Sequence, residues 1–443
     1  MAKKKILFIH QNFPGQYKSL APFLSNKKKY EIHSLSVSNS DPAETEERLS
    51  NFKDITNHLY DIKKGTSKNI HTLAVEFETK MIRAEAVSLK CLELKNSGFN
   101  PDLIIDHPGW GETFLIKEIW PDTKLLSYFE FYYNTINSDV DFDTNEPHYP
   151  KPNLELFSRL RARNAPGMMS YLEADLLICP TKFQKSTAPK ILHKKINVIH
   201  DGIDTDIIRP VSSGDITMTL PTKEKIKLTK KNKIITFVNR NLEPYRGYHS
   251  FMRSLPNIQK KHPDAYILII GGDKVSYGSN SITGESFKDI YFNEVKDDLI
   301  DPEKILFLGR INYGNFLKIL AISSVHIYLT YPFVLSWSML EAMALETLII
   351  GSKTAPVEEV IKNNKNGLLV DFFDIEGLSK LVIDVLNNPE KYKLLKKNAR
   401  KTIVNNYDLK SISLPKQLEL VETLLKWERK LFLMMLLIFC LML

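Results

Sequence analysis

Cysteine is scarce in this chain. Its 443 residues hold three, Cys91, Cys179 and Cys440, far apart and without the spacing of metal ligands. That excludes a disulfide framework and a thiolate zinc site, and it points to a reducing compartment. A long apolar leader is missing as well. Ile6-Leu7-Phe8-Ile9-His10 follows Met-Ala-Lys-Lys-Lys, but the run is too short for a signal peptide and polar residues come at once. It reads as a first strand, and the protein is expected to stay in the cytoplasm. No internal repeat is present, and no basic motif interleaved with aromatics, which argues against nucleic acid as a partner.

The composition that remains is that of an ordinary globular protein, 43% hydrophobic and 25% charged, with chain enough for two or three domains. Lys+Arg outnumber Asp+Glu by 60 to 52, a net charge of +8. Such an excess suits attraction to anionic lipid or phosphorylated substrates, and it equally suits a solubilising surface. One apolar run is long, Leu431 to Leu443, preceded by Lys426, Arg429 and Lys430. Spanning a bilayer takes roughly 20 apolar residues, so this run does not cross one. Three readings stay open for it: peripheral contact with a membrane face, packing on the amino-terminal domain, or an aberrant terminus.

Short apolar runs alternate with helical patterns along most of the chain, which implies βαβ units and parallel sheets. In the first series the strand ending at His10 turns through Gln11 to Gln16, where Gly15 lets backbone approach a ligand. The polar stretch Ser40 to Asn69 reads as helical pieces on the surface, and Leu73 to Leu94 as a long helix. Asn100 to Glu112 is a turn, a buried strand and a glycine-flanked loop. His107 stands there at a strand's carboxyl end beside Trp110, well placed to hydrogen-bond a substrate, although a lone histidine is more often structural. The strand Leu125 to Tyr133 leads to Glu130, with aromatics suited either to an acceptor or to the core. Asp139 to Pro152 is an acidic excursion, a candidate acceptor loop.

A strand and glycine turn at Ile196 to Asp204 close the first series, and the lysine-rich Ser212 to Lys233 reads as a solvated insertion. The second series opens with the strand Ile234 to Arg240 and its exit loop Asn241 to Gly247. Arg240 and Arg246, six residues apart, can converge on a diphosphate through bidentate contacts. Gly272 ends the next strand and permits close approach, and Arg310 follows the strand Ile305 to Gly309. Then come a buried strand at Val325 to Leu329, a loop with Ser336 and Ser338, a helix from near Trp337 that carries Glu341, and a strand at Leu348 to Ile350. In open parallel sheets ligands bind at the carboxyl ends of strands, where a helix amino terminus presents N–H groups to an anion. This is a candidate nucleotide site.

The ordered string of strand, loop, Leu-Glu-Ala-Met-Ala, strand, Gly351-Ser352, Pro356 to Val360 and Asn366 to Val370 resembles the donor-sugar domain of retaining glycosyltransferases of the GT-B fold, family 4 (group 1). The resemblance spans Lys5 to Tyr407. It implies an α/β protein with two Rossmann-like parallel-sheet domains across a cleft: 1–203 on the acceptor side, 204–407 binding a nucleotide-sugar, and 408–443 a helix that crosses back plus the apolar tail. It further implies a donor held by Gly15, Gly272, Arg310 and the backbone of Val334, Leu335 and Ser336. Arg240 and Arg246 would take its diphosphate, Glu341 its ribose and His107 its sugar, with Trp110 and Glu130 facing the acceptor. No metal or cofactor is implied beyond the nucleotide-sugar substrate, and the acceptor would be a glycan or lipid-linked molecule. Two departures stand out. The family's other glutamate, eight positions before Glu341, falls on Phe333, which cannot bond sugar hydroxyls as a carboxylate does, and the arginine pair has one residue more between its members than usual. The function implied is sugar transfer from a nucleoside diphosphate to a hydroxyl in cell-surface polysaccharide or glycoconjugate synthesis. The alternatives are a catalytically weakened binding scaffold or a sugar-nucleotide epimerase of the same fold.

Overall fold

The computed structural model describes residues 2–39, 41–211, 214–220 and 222–426. The apolar run at Leu431 to Leu443, with Cys440, lies outside the described residues. The chain forms two compact units. Of the described residues, one takes those up to Tyr133, Asn153–Asp201 and 410–426; the other takes Asn134–Pro152 and those within Gly202–Leu409. The excursion that the sequence leaves in the first domain therefore belongs to the second unit.

The first unit is built on seven parallel strands: β1 (Lys4–Ile9), β2 (Tyr30–Val37), β3 (Thr56–Tyr60), β4 (Leu103–Asp106), β5 (Lys124–Tyr128), β6 (Leu176–Cys179) and β7 (Ile196–Val198), in the order β3-β2-β1-β4-β5-β6-β7. Central parallel strands are covered on both faces, so they read as continuous apolar runs. In β1 this shows as Ile6, Leu7, Phe8 and Ile9, each without solvent exposure. The register sets Ile9 beside Asp106, so the residues that leave these two strands, His10 and His107, emerge together. Two expectations need correction. β3 and the helix Pro42–Leu49 occupy a stretch read as surface helix only. β5 ends at Tyr128, so Glu130 stands in the loop beyond it.

The second unit opens with an antiparallel hairpin, β8 (Asp215–Thr219) and β9 (Lys225–Thr229). Its parallel sheet follows: β10 (Ile234–Asn241), β11 (Tyr266–Gly272), β12 (Ile305–Gly309), β13 (Val325–Tyr328), β14 (Leu348–Ser352) and β15 (Leu368–Val370), in the order β12-β11-β10-β13-β14-β15. The hairpin corrects the reading of a solvated insertion. Met218 and Leu228 enter the unit's core and Ile216 and Ile226 pack against it, while Lys225 and Lys227 face water. β10 lies between β11 and β13, which makes their exit loops neighbours.

The chain is helical again over 414–426 and belongs there to the first unit, with Val421 and Leu424 fully buried and Lys29 paired to Glu422. Among the described residues no helix is long and apolar enough to cross a membrane.

Candidate functional site

In the second unit the exit loops of β10 and β13 meet through Arg246. Its side chain is only 4% exposed. Nη1 donates to Thr330 Oγ1 at 2.8 Å and to the Val334 carbonyl at 2.9 Å, and lies 3.5 Å from the Tyr328 hydroxyl. Tyr277 and Phe333 stand over the guanidinium at 4.8 and 5.5 Å, and Tyr245 meets Phe333 edge-on at 5.0 Å. Phe333 is thus a wall of an aromatic cage around a cation, held by the attraction of a ring face for positive charge. Burial works against the charge of Arg246, but the phenol oxygens of Tyr328 and Tyr277 and the nearby Glu243 outweigh it, so the cation persists.

The helix Trp337–Ala344 starts where the sequence places it. Ser336 caps it, its hydroxyl accepting from the Ser338 amide at 3.3 Å. The Ser336 amide donates to the Tyr328 hydroxyl at 2.7 Å, and Leu335 points into the core. Of the expected Val334 to Ser336 amides, that one is engaged within the protein, and Val334 offers its carbonyl to Arg246. One turn on, Glu341 is buried, and its Oε1 accepts from the Tyr313 hydroxyl at 2.6 Å. The two arginines are not equivalent, because Arg240 is exposed. Gly272 lies beside it: a Cβ there would stand 3.6 Å from the Arg240 carbonyl, 3.5 Å from Arg310 Nε and 2.4 Å from Asn241 Oδ1. A side chain at this point would have to displace the Asn241 amide, which fills the space.

Glu243 and Tyr313 carried no signal by themselves in the sequence. The Glu243 carboxylate accepts from the amides of Ser276, Tyr277 and Gly278 at 3.1, 3.3 and 3.1 Å. Burial holds it above its ordinary value although those three N–H groups pull the other way. It fixes the loop that puts Tyr277 over Arg246.

In the first unit His107 is fully buried at the end of β4. It stacks on Trp110 at 4.6 Å and on Tyr128 at 5.3 Å, and its Nδ1 accepts from the Gly109 amide at 3.2 Å. Nε2 lies 3.5 Å from Glu130 Oε2. Burial opposes charge on both groups, yet each stabilises the other's, so His107 titrates above its ordinary value and Glu130 below. The sequence-predicted trio of His107, Trp110 and Glu130 is therefore brought together. His10, which the sequence marks only as a strand end, joins it 5.3 Å from His107 and Trp110. Burial, then the charge of His107, pushes its pKa down to about 3. The same ring gives a reason for Gly15, whose φ is +48°. A Cβ there would stand 2.3 Å from the His10 ring, so glycine makes room for a protein side chain where the sequence suggested a ligand.

Among the described residues one trio of metal-ligand type comes together, Asp143, Glu146 and His249, with donor atoms within 4.8 Å of one another. Those donors already serve protein partners: Tyr331 holds Asp143, and Arg253 and Tyr291 hold Glu146. The trio is an ion-pair network.

Residues 37–208 match the family model described as glycosyl transferase family 4 group, and residues 220–402 match glycosyl transferases group 1. The chain belongs to the group 1 glycosyltransferases of family 4. An uncharacterized glycosyltransferase of Methanocaldococcus jannaschii is 25% identical over 248 residues, 55% of this chain and 57% of the relative. The chain thus spans about half the length of the curated relatives it matches. Among solved structures, the sucrose-phosphate synthase of Thermosynechococcus elongatus superposes with a TM-score of 0.68 at 15% identity, covering 95% of this chain and 99% of its own. The Anabaena HepE protein in complex with UDP and glucose gives 0.62 at 14%, covering 95% and 100%. At such identities the likeness is one of fold, and the fold of this family 4 chain is GT-B: two Rossmann-like units on parallel sheets.

Proposed function

We propose that this family 4 protein moves a sugar, with retention of its anomeric configuration, from a nucleoside diphosphate to a hydroxyl of a glycan, glycolipid or small molecule. The product would serve cell-surface polysaccharide or glycoconjugate synthesis, made in the cytoplasm or at the inner face of the membrane. One observation carries the reading: the buried Arg246 guanidinium bridges the exit loops of adjacent strands and touches the loop that opens the helix of Glu341. That sets a fixed cation and a carboxylate at the carboxyl ends of a parallel sheet, where nucleotides bind.

The chemistry follows from charge. As the glycosidic bond breaks, the leaving diphosphate gains negative charge, and a preorganised guanidinium lowers that barrier without a bound metal. Arg246 and the exposed Arg240 take the diphosphate, with Gly272 and Arg310 alongside and Glu341 on the ribose. An acceptor hydroxyl attacks the face from which the leaving group departs, and the departing phosphate oxygen takes its proton. In the first unit His107, beside Glu130, bonds sugar or acceptor, and Trp110 offers a ring face to it.

The solved neighbour with UDP and glucose makes uridine nucleotides the first to try, then guanosine and adenosine. A thermal-shift screen of nucleotide-sugars should raise the melting temperature for one of them, because ligand binds only the folded state. Arg240→Ala and Arg246→Ala should each lose at least about 1.5 kcal/mol of transition-state stabilisation, the scale of a charge-assisted hydrogen bond; unchanged turnover in both would end the reading. Phe333 favours a second one, a binding scaffold descended from such an enzyme. Nucleotide binding with no turnover of any donor would be its mark.

A further inference from the structure

Asn134–Pro152 lies in sequence between β5 and the helix Leu154–Glu173 of the first unit, yet it packs within the second. Three carboxylates along this strap each meet a different group there. Asp139 accepts from the Tyr245 hydroxyl. Asp143 Oδ2 accepts from the Tyr331 hydroxyl at 2.9 Å and pairs with His249 Nε2 at 3.0 Å. Glu146 takes Arg253 Nη1 at 2.8 Å and the Tyr291 hydroxyl at 3.1 Å. Tyr149 completes the row: its hydroxyl accepts from the Ser279 amide at 3.1 Å and fills the place beside Gly278, 2.3 Å from where a Cβ would stand.

His249, Arg253 and Tyr291 lie on the helices Tyr248–Lys261 and Phe287–Val295, but Tyr245, Tyr331 and the Gly278–Ser279 pair fall on the exit loops of β10, β13 and β11, three neighbours in the sheet. Each of these loop anchors is next or nearly next in the chain to a member of the Arg246 cage. Tyr245 precedes Arg246, Tyr331 stands two residues before Phe333, and Gly278 follows Tyr277. The Tyr331 amide also donates to the Tyr245 carbonyl at 3.0 Å, which ties two of the loops together. Loops at strand ends have few backbone partners of their own, so braces of this kind decide where they stand. Burial opposes the charge of Asp143, but His249, Tyr331 and Arg253 keep its carboxyl below the ordinary range, and bonds to a charged carboxylate are the stronger kind.

We propose that the strap Asn134–Pro152 is a positioning element of the donor site: through Asp143 and Tyr331 it holds the loops that aim Arg246 at the donor diphosphate. The proposal rests on the donor reading given above. A displacement of about an ångström in such a group is enough to lose most of its effect.

The test is isothermal titration of the mono- and diphosphates of uridine, guanosine and adenosine into the wild type, Asp143→Ala, Tyr331→Phe and the double variant. For the diphosphate that binds the wild type, each single variant should lose at least about tenfold in affinity, and under about threefold for the matching monophosphate. The double variant should be no worse than Asp143→Ala, because both changes break one contact. Tyr331→Phe keeps its ring against Phe142 and Phe372, so it decides the matter if Asp143→Ala does not fold. Folded variants with unchanged affinities, or with equal losses for both phosphates, would overturn the strap proposal and leave the donor reading standing. A wild type that binds none of the diphosphates would overturn both.

Discussion

A guanidinium that gives up most of its water must find its stabilisation in fixed oxygens and ring faces. Arg246 finds it in Thr330, Val334, Tyr277 and Phe333. The phenyl group at position 333 replaces a sugar-binding carboxylate of the resembling family, and the structure gives it work of another kind: it is 3% exposed and closes the cage. Phe333→Ala should therefore destabilise the second unit by about 3 kcal/mol through the cavity it leaves. Urea denaturation reads this directly, and a loss under about 1 kcal/mol would mean that the cage is loose. Sequence made Arg246 and Glu341 legible, because each sits in an ordered string. The oxygens that hold them, Thr330 and the Tyr313 hydroxyl, carry no pattern, since a hydrogen bond across 84 or 28 residues leaves no trace in local spacing.

At the scale of elements the hairpin β8–β9 is instructive. Ile216, Met218, Ile226 and Leu228 alternate with polar residues as a half-buried ribbon must, but the lysines between them gave the segment the look of a solvated insertion. Burial divides the two sets. Leu228 is 1% exposed, whereas Lys225 is exposed. Leu228→Ala is expected to lower stability by about 3 kcal/mol, and Lys225→Ala to change it by no more than about 0.5 kcal/mol. Denaturant midpoints of the two variants check the assignment, and equal values would return the segment to the surface.

For a whole unit the balance of buried ionisable groups sets stability against pH. Burial pushes the Glu112 carboxyl up to about 7 from an ordinary 4.5, against the pull of its own backbone amide and of His107. A group raised in this way stabilises the folded state most below about pH 4.5, and that share is lost as the pH rises through about 7. Glu112→Gln removes this dependence. Relative to the wild type the variant should gain on the order of 3 kcal/mol between pH 4.5 and pH 8, measured by urea denaturation across that range; a constant difference would show that Glu112 titrates in the folded protein as it does in the unfolded chain. His10 works the other way. Its pKa is pushed down to about 3, so its contribution is full above about pH 6.5 and is lost as the pH falls.

The sequence by itself determined the two parallel-sheet units, the start of the helix of Glu341, and the family. Those features rest on runs of neighbouring residues whose periodicity survives in one dimension. Only the tertiary structure decided that Asn134–Pro152 serves the second unit, that Gly15 makes room for His10 and that Phe333 guards a cation. Each depends on groups brought together by the order of strands in a sheet, and local spacing does not encode that order.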